Sequence, residues 1–105
     1  MNVEIEYTWD PKKSRANLRK HGVSFEQARE IFDDASHVVM DDWQDGGELR
    51  CQAIGLTRSG ALLLLVAFVD RTKTDDQTEN IVLHLISARK ANHYETTIYK
   101  EHSQA

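Results

Sequence analysis

Basic and titratable side chains concentrate where the last apolar strand of the sequence ends. Guanidinium and ammonium groups can bind a phosphodiester and stabilise a pentavalent transition state, while an imidazole can transfer protons. Cleavage of RNA by its own 2′-hydroxyl needs these functions and no metal, so RNA would be a natural substrate for such a cluster. A structural alternative remains open, in which the cations pair with acidic side chains and the histidine is a satisfied core residue. The cluster comprises His84, Ser87, Arg89, Lys90, His93 and Tyr94.

Other common signatures of catalysis are missing from the sequence. It contains no Gly-rich phosphate loop, no paired cysteines or HExxH spacing for zinc, and no nucleophile elbow. The five histidines show no ligand spacing on one element. The single cysteine, Cys51, falls within a predicted strand, where an inert buried thiol is expected. We therefore expect neither a metal nor a cofactor.

Length and composition predict one small globular domain. The chain has 105 residues, of which 40% are hydrophobic and 29% are charged. Its longest apolar run, Ala61 to Val69, is too short to cross a bilayer as a helix, so no membrane association is expected. Because there is one cysteine and no signal-peptide pattern, a reducing cytoplasm is the expected compartment.

Charge is distributed unevenly along the chain. Residues 1–21 carry five basic and three acidic side chains, whereas residues 22–48 carry one basic and eight acidic ones. The acidic stretch is a candidate for binding a basic protein, and the basic stretch is a candidate for binding phosphates. Both stretches could instead be solvated surfaces. The basic candidates in the first helix are Lys12, Lys13, Arg15 and Arg19.

The first elements that must position these residues are an edge strand and two helices. Residues 3–8 alternate between apolar and polar types, which is typical of a half-buried strand. Trp9-Asp10-Pro11 predicts a helix start, and Gly22 predicts its end after about residue 20. A second helix is predicted from Ser24, where Gln27 completes a capping box, to about residue 33.

The remaining elements are strands followed by a helix. Strands are predicted at residues 37–40, 49–57, 61–69 and 81–88, and a helix from residue 89 to about 101. The turn Arg58-Ser59-Gly60 predicts a hairpin in which the glycine adopts positive φ. The strand after this turn is apolar throughout and should be central. The predicted fold is α+β, with two N-terminal helices and a C-terminal helix packed on a mainly antiparallel sheet of four to five strands.

A series of separate short motifs runs through most of the chain. They are Trp9-Asp10-Pro11, Asn17, Lys20-His21-Gly22-Val23, Phe25, Ala28, Phe32-Asp33-Asp34, Ala53-Ile54-Gly55, Ile86-Ser87-Ala88-Arg89-Lys90-Ala91, Glu95 and Tyr99. Together they resemble the BrnT family of bacterial type II toxins over about residues 7–99. The resemblance implies a single BrnT-like toxin domain over residues 1–105 with a RelE-like fold.

The resemblance also implies an activity, partners and site residues. Members of the family are metal-independent ribonucleases that arrest growth and are neutralised by a BrnA antitoxin with a ribbon-helix-helix domain. The complex is expected to be a hetero-oligomer that contacts DNA through the antitoxin and represses its own operon. For catalysis we expect His84 as a proton shuttle, and Arg89, Lys90 and Arg71 as contacts to phosphate and transition-state charge. RNA binding is expected from the four basic residues of the first helix together with His93 and Tyr94.

The C-terminal part of the chain departs from the family pattern. The family has a strongly basic last strand and helix, whereas this chain has His84 and then Asn92-His93-Tyr94-Glu95-Thr96-Thr97-Ile98. Fewer cations lower the electrostatic part of RNA affinity, so catalysis could be weak or could depend on His84 and His93. A non-catalytic module that binds the antitoxin is therefore the second hypothesis. Direct DNA binding is disfavoured by the net charge of −4 and by the lack of a recognition helix.

Overall fold

Helices cover both faces of one mixed β-sheet in the computed structural model, which describes residues 4–41, 48–74 and 79–103. The strands are β1 (Ile5–Thr8), β2 (Val38–Asp41), β3 (Arg50–Leu56), β4 (Leu63–Asp70), β5 (Lys73–Thr74) and β6 (Glu79–Lys90). The helices are α1 (Pro11–His21), α2 (Phe25–Ala28) and α3 (His93–Ser103), with a 3₁₀ helix at Arg29–Asp33. Five strands follow the order β1-β6-β4-β3-β2, and the short β5 pairs with the start of β6.

The α+β class is confirmed, but the sheet is mixed, so the prediction of a mainly antiparallel sheet is corrected. The N-terminal β1 lies parallel to β6, with Ile5 opposite Ile81 and Thr8 opposite His84. All other neighbouring strands are antiparallel. Alternation of residue types in β1 predicts which face is buried but does not specify a partner strand, so the parallel pairing had no signal in the sequence.

Predicted caps define the starts of both N-terminal helices. The carboxylate of Asp10 accepts the N–H of Lys12 at 2.9 Å, and Gly22 ends α1 at φ 70°. Ser24 forms the predicted capping box with Gln27. The second helix is not continuous, however, because α2 is one turn long and residues 29–33 form the tighter 3₁₀ helix.

The 3₁₀ helix places Ile31 against a glycine in β3. A Cβ atom at Gly55 would lie 2.9 Å from the Cβ of Ile31, which is closer than side-chain atoms pack. The absence of a side chain at Gly55 therefore lets this segment lie directly on the sheet.

The strand predicted to be central occupies that position. β4 is the third of the five strands, and the hairpin that leads into it has Gly60 at φ 74°. The core lies between one face of the sheet and α1, α2 and the 3₁₀ helix; we call this the α1/α2 face. Its largest fully buried members include Phe25, Ile31, Leu64, Val66 and Leu85.

The opposite face of the sheet carries α3, and we call it the α3 face. Ile54 and Leu65 are paired across β3 and β4 and are buried there, outside the main core cluster. The last strand extends to Lys90, and the N–H of Ala91 still bonds to the carbonyl of Leu63 at 2.9 Å. The C-terminal helix consequently begins at residue 93, later than predicted. Within the described ranges, no helix is long and apolar enough to cross a membrane.

Candidate functional site

One row of residues crosses four strands on the α3 face. Arg50 of β3 lies opposite Val69 of β4, which lies opposite His84 of β6, which lies opposite Thr8 of β1. We call these four residues the site row. Because neighbouring strands are about 4.8 Å apart, the row spans roughly 14 Å. The next row on this face, Gln52, Ala67 and Ser87, separates it from the row of Ile54, Leu65 and Arg89, which lies nearer to α3.

His84 is held in this row by one ring nitrogen. Its Nδ1 lies 2.8 Å from the Oγ1 of Thr8. In the described part of the chain, Nε2 has no hydrogen-bond partner. Every buried side-chain nitrogen or oxygen of the described residues does have a partner, so Nε2 is not among the buried atoms. It follows that Nε2 is in contact with solvent, although the residue as a whole is half-buried.

The electrostatic surroundings of His84 favour its neutral form. Burial lowers the pKa of His84 from its ordinary 6.5, and the positive charges of Arg71 and Lys13 lower it further. Glu48 and Asp10 raise the pKa by smaller effects. The imidazole is therefore largely neutral at pH 7 and able to accept a proton.

Arg71 provides the nearest exposed cation that the sequence predicted for catalysis. It follows β4, and its backbone N–H bonds to the carbonyl of Val82 at 2.8 Å, which fixes it beside β6. Its guanidinium lies 3.3 Å from the carboxylate of Glu48, and both side chains are about half exposed. Because an exposed ion pair of this kind contributes only about 0–1 kcal/mol, a phosphate could replace the carboxylate at small cost.

Arg89, also predicted for catalysis, lies in a different environment. It forms a two-point ion pair with Glu95 of α3, with both N–O distances 2.8 Å. The side chain of Glu95 is only 10% exposed, and one of its oxygens also accepts the N–H of Asn92 at 2.9 Å. These contacts connect the end of β6 to the start of α3. Arg89 and His84 pair with Leu65 and Val69 of β4, which are four positions apart, so Arg89 lies roughly 13 Å from His84 along the strand.

The other residues of the predicted C-terminal cluster do not converge on His84. Lys90 is exposed and lies opposite Leu64, on the α1/α2 face of the sheet. His93 and Tyr94 are exposed in the first turn of α3, and Tyr94 is 73% exposed. The single predicted cluster is thus divided into a site around His84 and Arg71 and a second group at the junction of β6 and α3.

The predicted basic face of the first helix is exposed to solvent. Lys12, Lys13, Arg15 and Arg19 are all on the surface of α1. Lys13 is close enough to His84 to affect its pKa, so this helix places at least one cation beside the site row.

Two clefts lie away from the site row, at the 3₁₀ helix and at the start of β2. One of about 440 Å³ is lined by the acidic side chains Glu30, Asp33 and Asp34 and by the β3–β4 turn. In residues 4–41, 48–74 and 79–103, no group of three or more His, Cys, Asp or Glu side chains could hold a metal ion.

The two polar members of the site row other than His84 were not predicted from the sequence. Thr8 reaches His84 only because β1 and β6 pair in parallel, and Arg50 reaches the row through the register of β3 and β4. Their residue types are ordinary for strands, so no local pattern marks them. Both positions depend on strand pairing between distant parts of the chain.

Comparison with known families provides independent evidence of function. A model of the family described as "Ribonuclease toxin, BrnT, of type II toxin-antitoxin system" matches residues 9–95. Comparison with individual curated proteins gives no match. The matched segment runs from the start of α1 into α3 and contains His84, Arg71 and Arg89. The chain belongs to the BrnT family of ribonuclease toxins of type II toxin–antitoxin systems.

Proposed function

We propose that this protein is a metal-independent endoribonuclease that arrests growth in the bacterial cytoplasm. Its active site is the α3 face around His84, with Arg71 and Lys13 binding the scissile phosphate. The observation that carries this assignment is the neutral, partly buried imidazole with a solvent-facing Nε2 and two cations beside it. A RelE-like relationship of the fold is part of the same proposal.

The chemistry follows from the charges of these groups. Nε2 of neutral His84 accepts the proton of a 2′-hydroxyl, and the resulting oxygen nucleophile attacks the adjacent phosphorus. Arg71 and Lys13 stabilise the negative charge that develops on the phosphate oxygens. The imidazolium then supplies a proton to the leaving 5′-oxygen, which makes His84 a proton shuttle.

The positions of the remaining predicted residues support different roles. Lys12, Arg15 and Arg19 provide a basic surface on α1 that would attract the RNA backbone. Arg89 is engaged with Glu95, and that contact gives it a structural role. Contact of RNA with Arg89, Lys90, His93 or Tyr94 stays a prediction.

The expected protein partner is a BrnA-like ribbon-helix-helix antitoxin that binds DNA and represses the operon together with the toxin. A partner surface is supported by an apolar groove of about 240 Å³ on the α1/α2 face. Ile5 and Val39 line this groove and are 42% and 49% exposed, so the groove presents apolar surface to solvent. The acidic stretch of residues 22–48 would favour a basic partner, although residues 42–47 lie outside the described residues.

A second candidate function is a binding module that has lost catalysis. It is favoured by the commitment of Arg89 to Glu95, because this removes one expected cation from phosphate binding. Such a protein would bind the antitoxin tightly and leave RNA intact.

RNA cleavage by purified variants tests the proposal. We expect the parent protein to cut single-stranded RNA in the presence of EDTA. His84→Ala should reduce the rate by at least about a hundredfold, the lower end of the range for general acid–base catalysis. Arg71→Ala should also impair cleavage. His102→Ala and Arg58→Ala are matched controls, because His102 is an exposed histidine of α3 and Arg58 forms an exposed ion pair like that of Arg71.

The pH dependence provides a further criterion. Because the base must be neutral and the pKa of His84 lies below 6.5, the rate should rise with pH and level off before neutrality. Full activity of His84→Ala would refute the assigned site. Intact RNA with the parent protein, together with tight antitoxin binding, would instead establish the binding module.

A further inference from the structure

Thr8 and His84 form an isolated pair on the α3 face. The Oγ1 of Thr8 and the Nδ1 of His84 are 2.8 Å apart, although the residues are 76 positions apart in the sequence. Among the described residues, the Thr8 hydroxyl has no other hydrogen-bond partner. The contact therefore determines the orientation of the ring without competition from neighbouring groups.

The position of Thr8 is fixed by the residues on either side of it. Tyr7 packs against Phe32 with ring centroids 5.7 Å apart, and Trp9 packs edge-on against Phe25 at 6.0 Å. Both aromatic side chains are partly buried and pack against the core on the α1/α2 face. Because strand residues alternate between faces, these two contacts hold Thr8 on the opposite face, beside His84.

We infer that Thr8 is the positioning residue of His84: its hydroxyl oxygen accepts the Nδ1–H, which leaves the lone pair of Nε2 on the solvent side of the ring. The effect of this contact on catalysis rests on the proposed function, in which Nε2 accepts the proton of the 2′-hydroxyl. The alternative arrangement, in which the hydroxyl donates to Nδ1, would protonate Nε2 and prevent it from accepting a proton.

The surrounding charges support this tautomer. β6 lies between β1, which carries Thr8, and β4, which Arg71 follows. The positive charges of Arg71 and of Lys13 in α1 both lower the pKa of His84. The negative charges of Glu48 and Asp10 have the opposite effect on the pKa, but it is smaller. A further cation, Arg50, lies in the same row of the sheet. Cations close to the ring favour an unprotonated nitrogen on the solvent side, because a lone pair attracts them and an N–H repels them.

The tautomer can be measured directly by ¹⁵N NMR of the histidine rings in the full-length protein, without RNA. The His84 signals are assigned by their loss in His84→Gln. In the parent protein we expect Nδ1 to be protonated and Nε2 to be unprotonated above the pKa. Thr8→Val, which removes the hydroxyl but retains the shape, should shift the ring toward the Nε2–H form, and Thr8→Ser should retain the parent tautomer.

Cleavage of RNA supplies the second measurement. Thr8→Val should lower kcat by about two- to tenfold, the loss expected for one hydrogen bond, with KM for RNA unchanged, and Thr8→Ser should restore it. The exposed Thr97→Val of α3 is the matched control and should have no effect.

The outcomes separate this inference from the proposed function. A parent protein in which His84 carries its proton on Nε2 would overturn the inference, as would an unchanged tautomer in Thr8→Val. The expected tautomers together with intact RNA would confirm that Thr8 positions the ring and would refute the nuclease assignment alone.

Discussion

Replacing Arg89 by alanine should destabilise the fold, because it leaves a buried carboxylate without its partner. The side chain of Glu95 is 10% exposed, whereas that of Arg89 is 39% exposed. Breaking a fully buried ion pair costs about 3–5 kcal/mol. Water reaches this pair from the arginine side, and Glu95 keeps the N–H of Asn92 at 2.9 Å, so the expected loss is smaller, about 1–3 kcal/mol.

Arg58→Ala is the matched control for this prediction. Arg58 pairs with Asp33 at 2.9 Å, and both side chains are more than half exposed. Its removal should cost about 0–1 kcal/mol. Urea unfolding of both variants at pH 7 gives the two free energies of unfolding under the same conditions. Equal losses for the two variants would refute the structural role of Arg89.

The difference between parent and Arg89→Ala should also depend on pH. Burial raises the pKa of Glu95, but the Arg89 and Asn92 hydrogen bonds outweigh it and hold the pKa below the ordinary 4.5. A lowered folded-state pKa contributes stability above 4.5 that is lost as the pH falls through the lowered value. The stability difference between the two proteins should therefore be complete at pH 7 and decrease in acid. A difference that stays constant or increases in acid would contradict this assignment.

Two further residues whose replacement should lower the stability are Tyr99 of α3 and Gly55, which lies beneath the 3₁₀ helix. Tyr99→Phe removes the hydroxyl that donates to Asp34 at 2.7 Å, so the free energy of unfolding should fall by about 1–3 kcal/mol. Replacing the exposed Tyr94 by phenylalanine should leave it unchanged. In the parent, burial and Asp34 raise the pKa of Tyr99 to about 12, so an absorbance titration should show it as the last of the three tyrosines to ionise. Gly55→Ala places a methyl group 2.9 Å from Ile31 and should lower the stability by about 1–3 kcal/mol; an unchanged melting temperature would show that the segment can move away.

Local sequence signals predicted the local structure well. The caps at Asp10 and Ser24 and the positive φ of Gly60 depend on residues within a few positions of each other, and all three are present. The predicted end of the last strand, at residue 88, was wrong, because Arg89 and Lys90 have polar side chains typical of a helix start. In the structure they continue the pairing with β4, opposite Leu65 and Leu64.

The candidate site was less predictable, because its members meet through strand pairing. Spacing along the chain placed Arg89 near His84, but the ion pair with Glu95 separates their environments. Arg71 joins His84 because β4 and β6 are neighbours, which the apolar pattern of the strands does not specify. Thr8 is even less predictable, since a threonine in an edge strand has no distinguishing feature until its partner strand is known.

The parallel pairing of β1 with β6 also determines when the proposed site can form. Thr8 is synthesised before its partner His84, which follows 76 residues later. An incomplete chain on the ribosome that ends before β6 lacks the strand with which β1 pairs. In such a chain β1 cannot join the sheet. A nascent chain therefore lacks the Thr8–His84 contact, and with it the proposed site, until β6 has been synthesised.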